Sequence, residues 1–341
     1  MKSYKAFYFS AVSNLNIDWL KKNSPSTILI PFQHIVSDKE VPYIQPLYQF
    51  KTTQQFETDL DYLLKHFEAV TLLDVIHHQK NKIPFKKTSF LLTFDDGLRQ
   101  VYDVVAPLLL RKGVPAALFL NPAFIDNKVL FHDLKKGLIL HHLDSHPIHT
   151  EILQKASEIS GSKIHTLQQL KKAVRSINYL TRSRADEMAA LLNIDFDEFR
   201  KKERPFMTAE QISELVRKGF EVGAHSVDHP LFSLISVEEQ VRQTIESLNL
   251  VCQQFDIAYR AFAFPYLDTG VGRAFFNQIS NHNHPPDLMF GNRTGMSENF
   301  PGVLHRYIGE NPSISAATMA KAVLAYRLVR KKMNAQYIHR T

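Results

Sequence analysis

Short apolar runs alternate with stretches of helical periodicity along much of the chain. SFLLTF (89–94) is a run apolar enough to predict a strand buried on both faces. Behind it, QVYDVVAPLLLRKG places Val101, Val104, Val105, Leu108 and Leu109 on one helical face, and Gly113 supplies a stop. VPAALFL (114–120) predicts the next strand. Strand, helix, strand is the parallel crossover unit, in which functional groups collect at the carboxyl ends of the strands. Asp95 and Asp96 stand at such an end.

A second unit is predicted further on. Thr208 and Gln211 have capping-box spacing ahead of a helical pattern that Gly219 can end, and FEVGAH (220–225) follows as a strand. AYRAFAF (258–264) and GVLHRYIGE (302–310) are further candidate strands; the first ends at Pro265 and Tyr266, and the second carries His305 and Arg306. Between 126 and 206 the pattern turns to polar helices without a clear strand, which predicts a helical insertion or cap after the second core strand of an α/β unit. Ser315 to Lys332 reads as a final amphipathic helix with a basic end, so the expected division is a catalytic domain over 1–312 and a helix and tail over 313–341.

Composition narrows the classes. With 341 residues and 44% hydrophobic content the chain can bury a sizeable core. Cys252 is the single cysteine, so no internal disulfide staples the fold. The start of the chain lacks a secretory pattern and no apolar run approaches a membrane span, so the expected location is the cytoplasm. A net charge of +7 suits an acidic partner, yet the basic residues are scattered apart from Lys201, Lys202 and Arg204, and Arg330, Lys331 and Lys332. No motif with base-reading or base-stacking logic accompanies them, so no nucleic-acid partner is expected. The basic end of the final helix leaves room for a weak membrane-surface contact, and for a rival reading as a membrane-surface scaffold. Oligomeric state is not legible.

The sharpest chemical cluster is GAHSVDHP, with His225 and His229 four apart. Imidazoles at that spacing can meet one ion if the chain after His225 turns helically, and a carboxylate from Asp95 or Asp96 would complete a two-His, one-carboxylate set with positions left open. Paired histidines also arise on solvated helices in a chain with 16 of them, and Asp-Asp-Gly also suits a turn that caps a helix. HHLDSHPIH (141–149) is rich in ligand atoms but reads as a solvated loop of the insertion.

Together, TFDDG (93–97) and HSVDH (225–229) resemble the signature of the polysaccharide deacetylases, carbohydrate esterase family 4, and FAFPYL (262–267) is similar to the exopolysaccharide-type variant of its third motif. Here the sequence departs from the commoner pattern, with Ala263 where many members carry arginine and Leu267 where they carry glycine. The resemblance implies a distorted (β/α) barrel and a metal-dependent enzyme that removes an acetyl group from an N-acetylated carbohydrate, free or lipid-linked. It implies that Asp96, His225 and His229 hold a divalent ion, with zinc expected, and that Asp95 is the general base. Tyr266 is implied as a wall whose backbone N–H meets the oxyanion. His305 is the first candidate for general acid and His34 the second, with Arg306 as the alternative match at the His305 motif. A carbohydrate-binding relative without activity would need a broken ligand or base set, and all four residues are present.

Overall fold

The computed structural model describes residues 2–341, with side chains from Tyr8 onward. Eight parallel strands make the core: β1 (Pro31–Gln33), β2 (Leu92–Asp95), β3 (Ala116–Leu120), β4 (Glu221–Ala224), β5 (Ala261–Ala263), β6 (Leu288–Gly291), β7 (Val303–His305) and β8 (Tyr307–Ile308). Their order across the sheet is β7-β6-β5-β4-β3-β2-β1-β8. Only Arg306 separates β7 from β8, so one segment pairs with β6 at its start and with β1 at its end. That segment rolls the sheet into a nearly closed (β/α) barrel. The strand positions are almost all buried, because helices cover the outside and side chains fill the inside.

Local sequence explains the crossover helices. Thr52 with Gln55, Thr71 with Asp74, and Thr208 with Gln211 form reciprocal capping boxes at three helix starts. The helix predicted behind β2 begins instead as a π turn over Val101–Val105 and becomes α-helical at Ala106–Lys112. Pro107 has no N–H to give back to the preceding turn and crowds its carbonyl, so the backbone widens there. Gly113 then closes the helix in the left-handed conformation, φ 64°.

Pro31–Gln33 was not among the strands read from the pattern, so the helical insertion follows the third barrel strand rather than the second. Its helices are His132–Ser145, Thr150–Ser160, Leu167–Ser176, Ser183–Leu191 and Phe196–Glu203. They enclose an apolar cluster of their own, with Ile139, Leu140, Leu170, Val174 and Met188 at its centre. The HHLDSHPIH stretch is partly the end of the first of these helices, where the His142 and His146 rings stack at 4.0 Å.

The final helix, Ala316–Lys332, lies against the barrel's outer helices Thr53–His66 and Ile17–Asn23, burying Ala320, Ala322, Val323 and Leu324. Its start is fixed by Asp59, which accepts from the Ala316 N–H at 2.6 Å and pairs with buried Lys51. No helix among the described residues is long and apolar enough to cross a membrane.

Candidate active site

Every candidate site residue named from the sequence sits at or just beyond the carboxyl end of a strand. Asp95 closes β2 and Asp96 follows it in the left-handed region, φ 69°, with Gly97 at φ 70°. Two successive residues at positive φ turn the chain sharply out of the strand, and glycine makes the second of them inexpensive. The turn parts the two carboxylates. Asp95 points into the barrel and Asp96 towards β4.

His225 and His229 do converge, but not through the helical turn their spacing suggested. The chain after β4 is a bend in which Ser226 (φ 65°) and His229 (φ 63°) are both left-handed. Ser226 Oγ accepts from the His229 N–H at 3.0 Å, Gln243 Oε1 accepts from Val227 N–H at 2.8 Å, and Asn121 donates to the carbonyls of His225 and Ser226. Strain held in place by this many bonds is common at sites that must fix side chains.

Asp96, His225 and His229 form the one group of potential metal ligands found among the described residues, with a ligand atom of each within 4.8 Å of the others. His225 Nδ1 lies 2.8 Å from the Ala263 carbonyl, which can only accept, so Nδ1 carries the hydrogen and Nε2 presents its lone pair. Burial pushes the His225 imidazole down to about 4, keeping it neutral. Nε2 faces Asp96 Oδ1 at 3.6 Å, and His229 Nε2 faces the same oxygen at 3.2 Å. Asp96 Oδ1 is buried and has no hydrogen-bond partner. His229 Nδ1 is also buried without a partner, so either nitrogen of that ring can carry the hydrogen; with its Nε2 lone pair turned inward as that of His225 is, three acceptors converge and a cation between them satisfies all three. The residues therefore fit a divalent ion.

Asp95 has a different neighbour. Arg306, fully buried, grips both its oxygens at 2.7 Å through two guanidinium nitrogens. Burial alone would raise the Asp95 carboxyl; Arg306, and to a lesser degree His225, outweigh that and hold it below the usual range. Arg306 is itself fixed. Its Nε donates to Asn292 Oδ1 at 3.2 Å, and its guanidinium lies 4.7 Å from the Phe32 ring and 5.3 Å from the Phe119 ring. Asn292 also donates to the Tyr266 carbonyl at 2.6 Å, linking the base to the loop after β5.

His34 stands at the top of β1, with Nδ1 2.9 Å from Glu310 Oε1 while its backbone N–H donates to Oε2. Burial would lower this imidazole, but Glu310, with smaller contributions from Asp96 and Asp95, raises it to about 10. His305 is placed elsewhere. Its Nδ1 accepts from the Arg293 N–H at 3.2 Å and its Nε2 faces Glu298 at 3.7 Å, on the opposite side of the closing strand from Arg306. Of the two matches left open at that motif, it is Arg306 that the fold sets against Asp95.

Tyr266 is left-handed, φ 52°, with its ring 4.5 Å from that of His229. Its hydroxyl donates to Asp133 Oδ2 at 2.6 Å and lies 3.3 Å from His132 Nε2; burial, and then the charge of Asp133, push it well above a normal tyrosine. Phe131 packs on His229 from the insertion at 4.5 Å. The insertion thus roofs the site with Phe131, His132 and Asp133, the FHDL stretch. Glu310 and Asn292 carried no sequence signal, because their partners are hundreds of residues or a whole strand away.

The family described as polysaccharide deacetylase matches residues 82–282. No curated protein matches the chain. Among solved structures, the Streptococcus pyogenes deacetylase PplD, in complex with acetate, is similar at TM-score 0.54 and 15% identity, covering 87% of this chain and 97% of its own. IcaB from Ammonifex degensii is similar at TM-score 0.53 and 15% identity, covering 89% and 98%. A de-N-acetylase from Aggregatibacter actinomycetemcomitans gives 0.52 and 13%, covering 86% and 99%. At these identities the likeness is one of fold.

Proposed function

Because the chain belongs to the polysaccharide deacetylase family, we propose that it hydrolyses the acetamide of an N-acetylated carbohydrate with the help of a divalent ion held by Asp96, His225 and His229. The observation that carries this reading is the buried Asp96 oxygen, without a hydrogen-bond partner, facing the Nε2 atoms of His225 and His229. Two imidazoles and one carboxylate, with positions left open, suit zinc. When bound, such an ion would acidify a water molecule and polarise the acetyl carbonyl.

The remaining work falls to the chain's own groups. Asp95, ionised and oriented by Arg306, takes a proton from the attacking water as its oxygen adds to the carbonyl carbon. The backbone N–H of Tyr266 faces the oxyanion that develops. His34, with Nδ1 committed to Glu310, gives a proton from Nε2 to the amine as the carbon–nitrogen bond breaks, and acetate leaves. Its raised pKa keeps that proton in place at neutral pH. His305 takes no part in this scheme.

Purified protein is expected to bind close to one zinc ion and to release acetate from N-acetylated sugars. Asp95→Asn should keep the ion and lose acetate release, and His34→Gln should lower kcat by about 10² or more. An ion retained after His225→Ala, or acetate release undiminished in Asp95→Asn, overturns the assignment.

A further inference from the structure

The roof restricts which sugar units can reach the site, an inference that rests on the deacetylase reading. The insertion reaches across the barrel mouth to loops on both sides of it. On one side, helix His132–Ser145 runs so close to the loop after β1 that a Cβ at Gly137 would collide with the Tyr43 carbonyl. Phe199 packs on the Tyr43 ring at 5.3 Å, and Arg175 donates to the Pro46 carbonyl at 3.4 Å. On the other side, Asp133 holds the Tyr266 hydroxyl of the loop after β5.

The insertion itself leaves the chain between β3 and β4. Strands follow one another around the ring in chain order, so contacts to the loops after β1 and after β5 carry the roof over the tops of β1 through β5. Only the arc of β6 and the closing segment stands outside it. Beneath the roof the reacting groups are almost sealed: Asp95 is 1% exposed, Asp96 7%, His225 1% and His229 3%.

A glycan acted on in mid-chain must run into the site and out again, which needs a cleft open at two ends. A mouth covered along one continuous arc has a single entrance. We propose that this site accepts an acetylated sugar only as the terminal unit of its glycan, or as a free small saccharide, entering from the side of β6 and the closing segment.

The test uses the full chain with zinc and end-labelled oligomers of N-acetylglucosamine and of N-acetylgalactosamine, from dimer to hexamer. Tandem mass spectrometry reads the positions that lose acetyl. The expected result is one acetate lost per chain, always from the same end, at a rate per chain that does not grow with length. Loss from internal units, or a rate that climbs with their number, overturns terminal entry and leaves the deacetylase reading intact. No acetate from any oligomer or from the free monosaccharides overturns both. Phe199→Ala, which loosens the roof away from the reacting groups, should give internal positions a measurable share; a pattern identical to the parent's removes the roof as the cause.

Discussion

Two buried clusters of carboxylate, imidazole and guanidinium stand side by side on this barrel, and they differ in how their lone pairs are met. Around His305, every carboxylate oxygen has a donor. Asp268 accepts from Asn292 N–H at 3.0 Å and from Arg340 Nη2 at 2.6 Å, and Glu298 accepts from Asn299 N–H at 3.0 Å and from Arg340 Nε at 2.7 Å. Around His225, one carboxylate is satisfied by Arg306 and the other is not: Asp96 Oδ1 faces the Nε2 atoms of two imidazoles and has no hydrogen-bond partner. Residue types are the same in both. Carboxylates whose oxygens all meet donors hold the fold together, whereas a buried carboxylate oxygen without a hydrogen-bond partner, set between two imidazoles, fits a cation.

The strongest way to break this comparison is Asp96→Asn. The amide can donate where the carboxylate could only accept, so the variant should lose the ion and about 10⁴-fold in kcat, roughly 5 kcal/mol of transition-state stabilisation. Its metal-free form should melt at the same temperature as the metal-free parent, or above it. A metal-free Asp96→Asn protein several degrees less stable than the metal-free parent would mean that Asp96 is held by unseen donors and that the cluster is structural after all.

Much of this site was legible because the informative residues are local. TFDDG and HSVDH sit at strand ends that can be read from short apolar runs, and the capping box at Thr208 places the helix before β4. The chemistry of the ligand set follows from residue types at short spacing. What stayed hidden depends on the inside and outside of a curved sheet. Successive residues of the closing segment point to opposite faces, so choosing Arg306 over His305 requires knowing which face is inward, and apolar content does not say, since both are buried. Leu288–Gly291 is a four-residue strand behind two prolines, too short for its own period to declare it. The bend that joins His225 to His229 was invisible for another reason: left-handed Ser226 and His229 are imposed by Asn121 and Gln243, which are remote in sequence.

The second cluster predicts a smaller effect, on stability. Arg340 comes from the last residues of the chain, and besides its two carboxylates it donates to the carbonyls of Asp268 and Val271 at 3.1 and 3.0 Å. Removing one partner of a buried ion pair costs about 3–5 kcal/mol. Arg340→Ala should fall in that range by denaturant unfolding. Burial alone would raise Asp268 and Glu298, but His305 first, and Arg340 and backbone donors with it, hold both below the usual carboxylate range. Lowered folded-state pKa values give stability that is present above the unfolded-state values and is lost as pH falls through the folded ones. The gap between parent and Arg340→Ala should therefore be widest near neutrality and shrink in acid, below the ordinary carboxylate pKa. Arg340 also holds Asp268, which positions the Asn292 backbone, so kcat in the variant should fall modestly while KM changes little. A stability gap independent of pH would show that the cluster is not ionised as drawn.

The smallest expected effect separates the two histidines once weighed for the same role. His305 gives its cluster one hydrogen bond to the Arg293 N–H, and glutamine has an oxygen that can take that bond over. His305→Gln should cost about 1 kcal/mol, the worth of one hydrogen bond re-formed with poorer geometry, and should leave the pH–rate profile where it was. His34→Gln removes a proton that no neighbouring donor replaces, since Glu310 can only accept once ionised. Measured together, the pair should show kcat lost in one and stability lost in the other. If His305→Gln were to flatten the basic limb of the profile while His34→Gln did not, the proton for the leaving amine would come from the cluster around His305, and the distinction between the two clusters would fail at its most specific point.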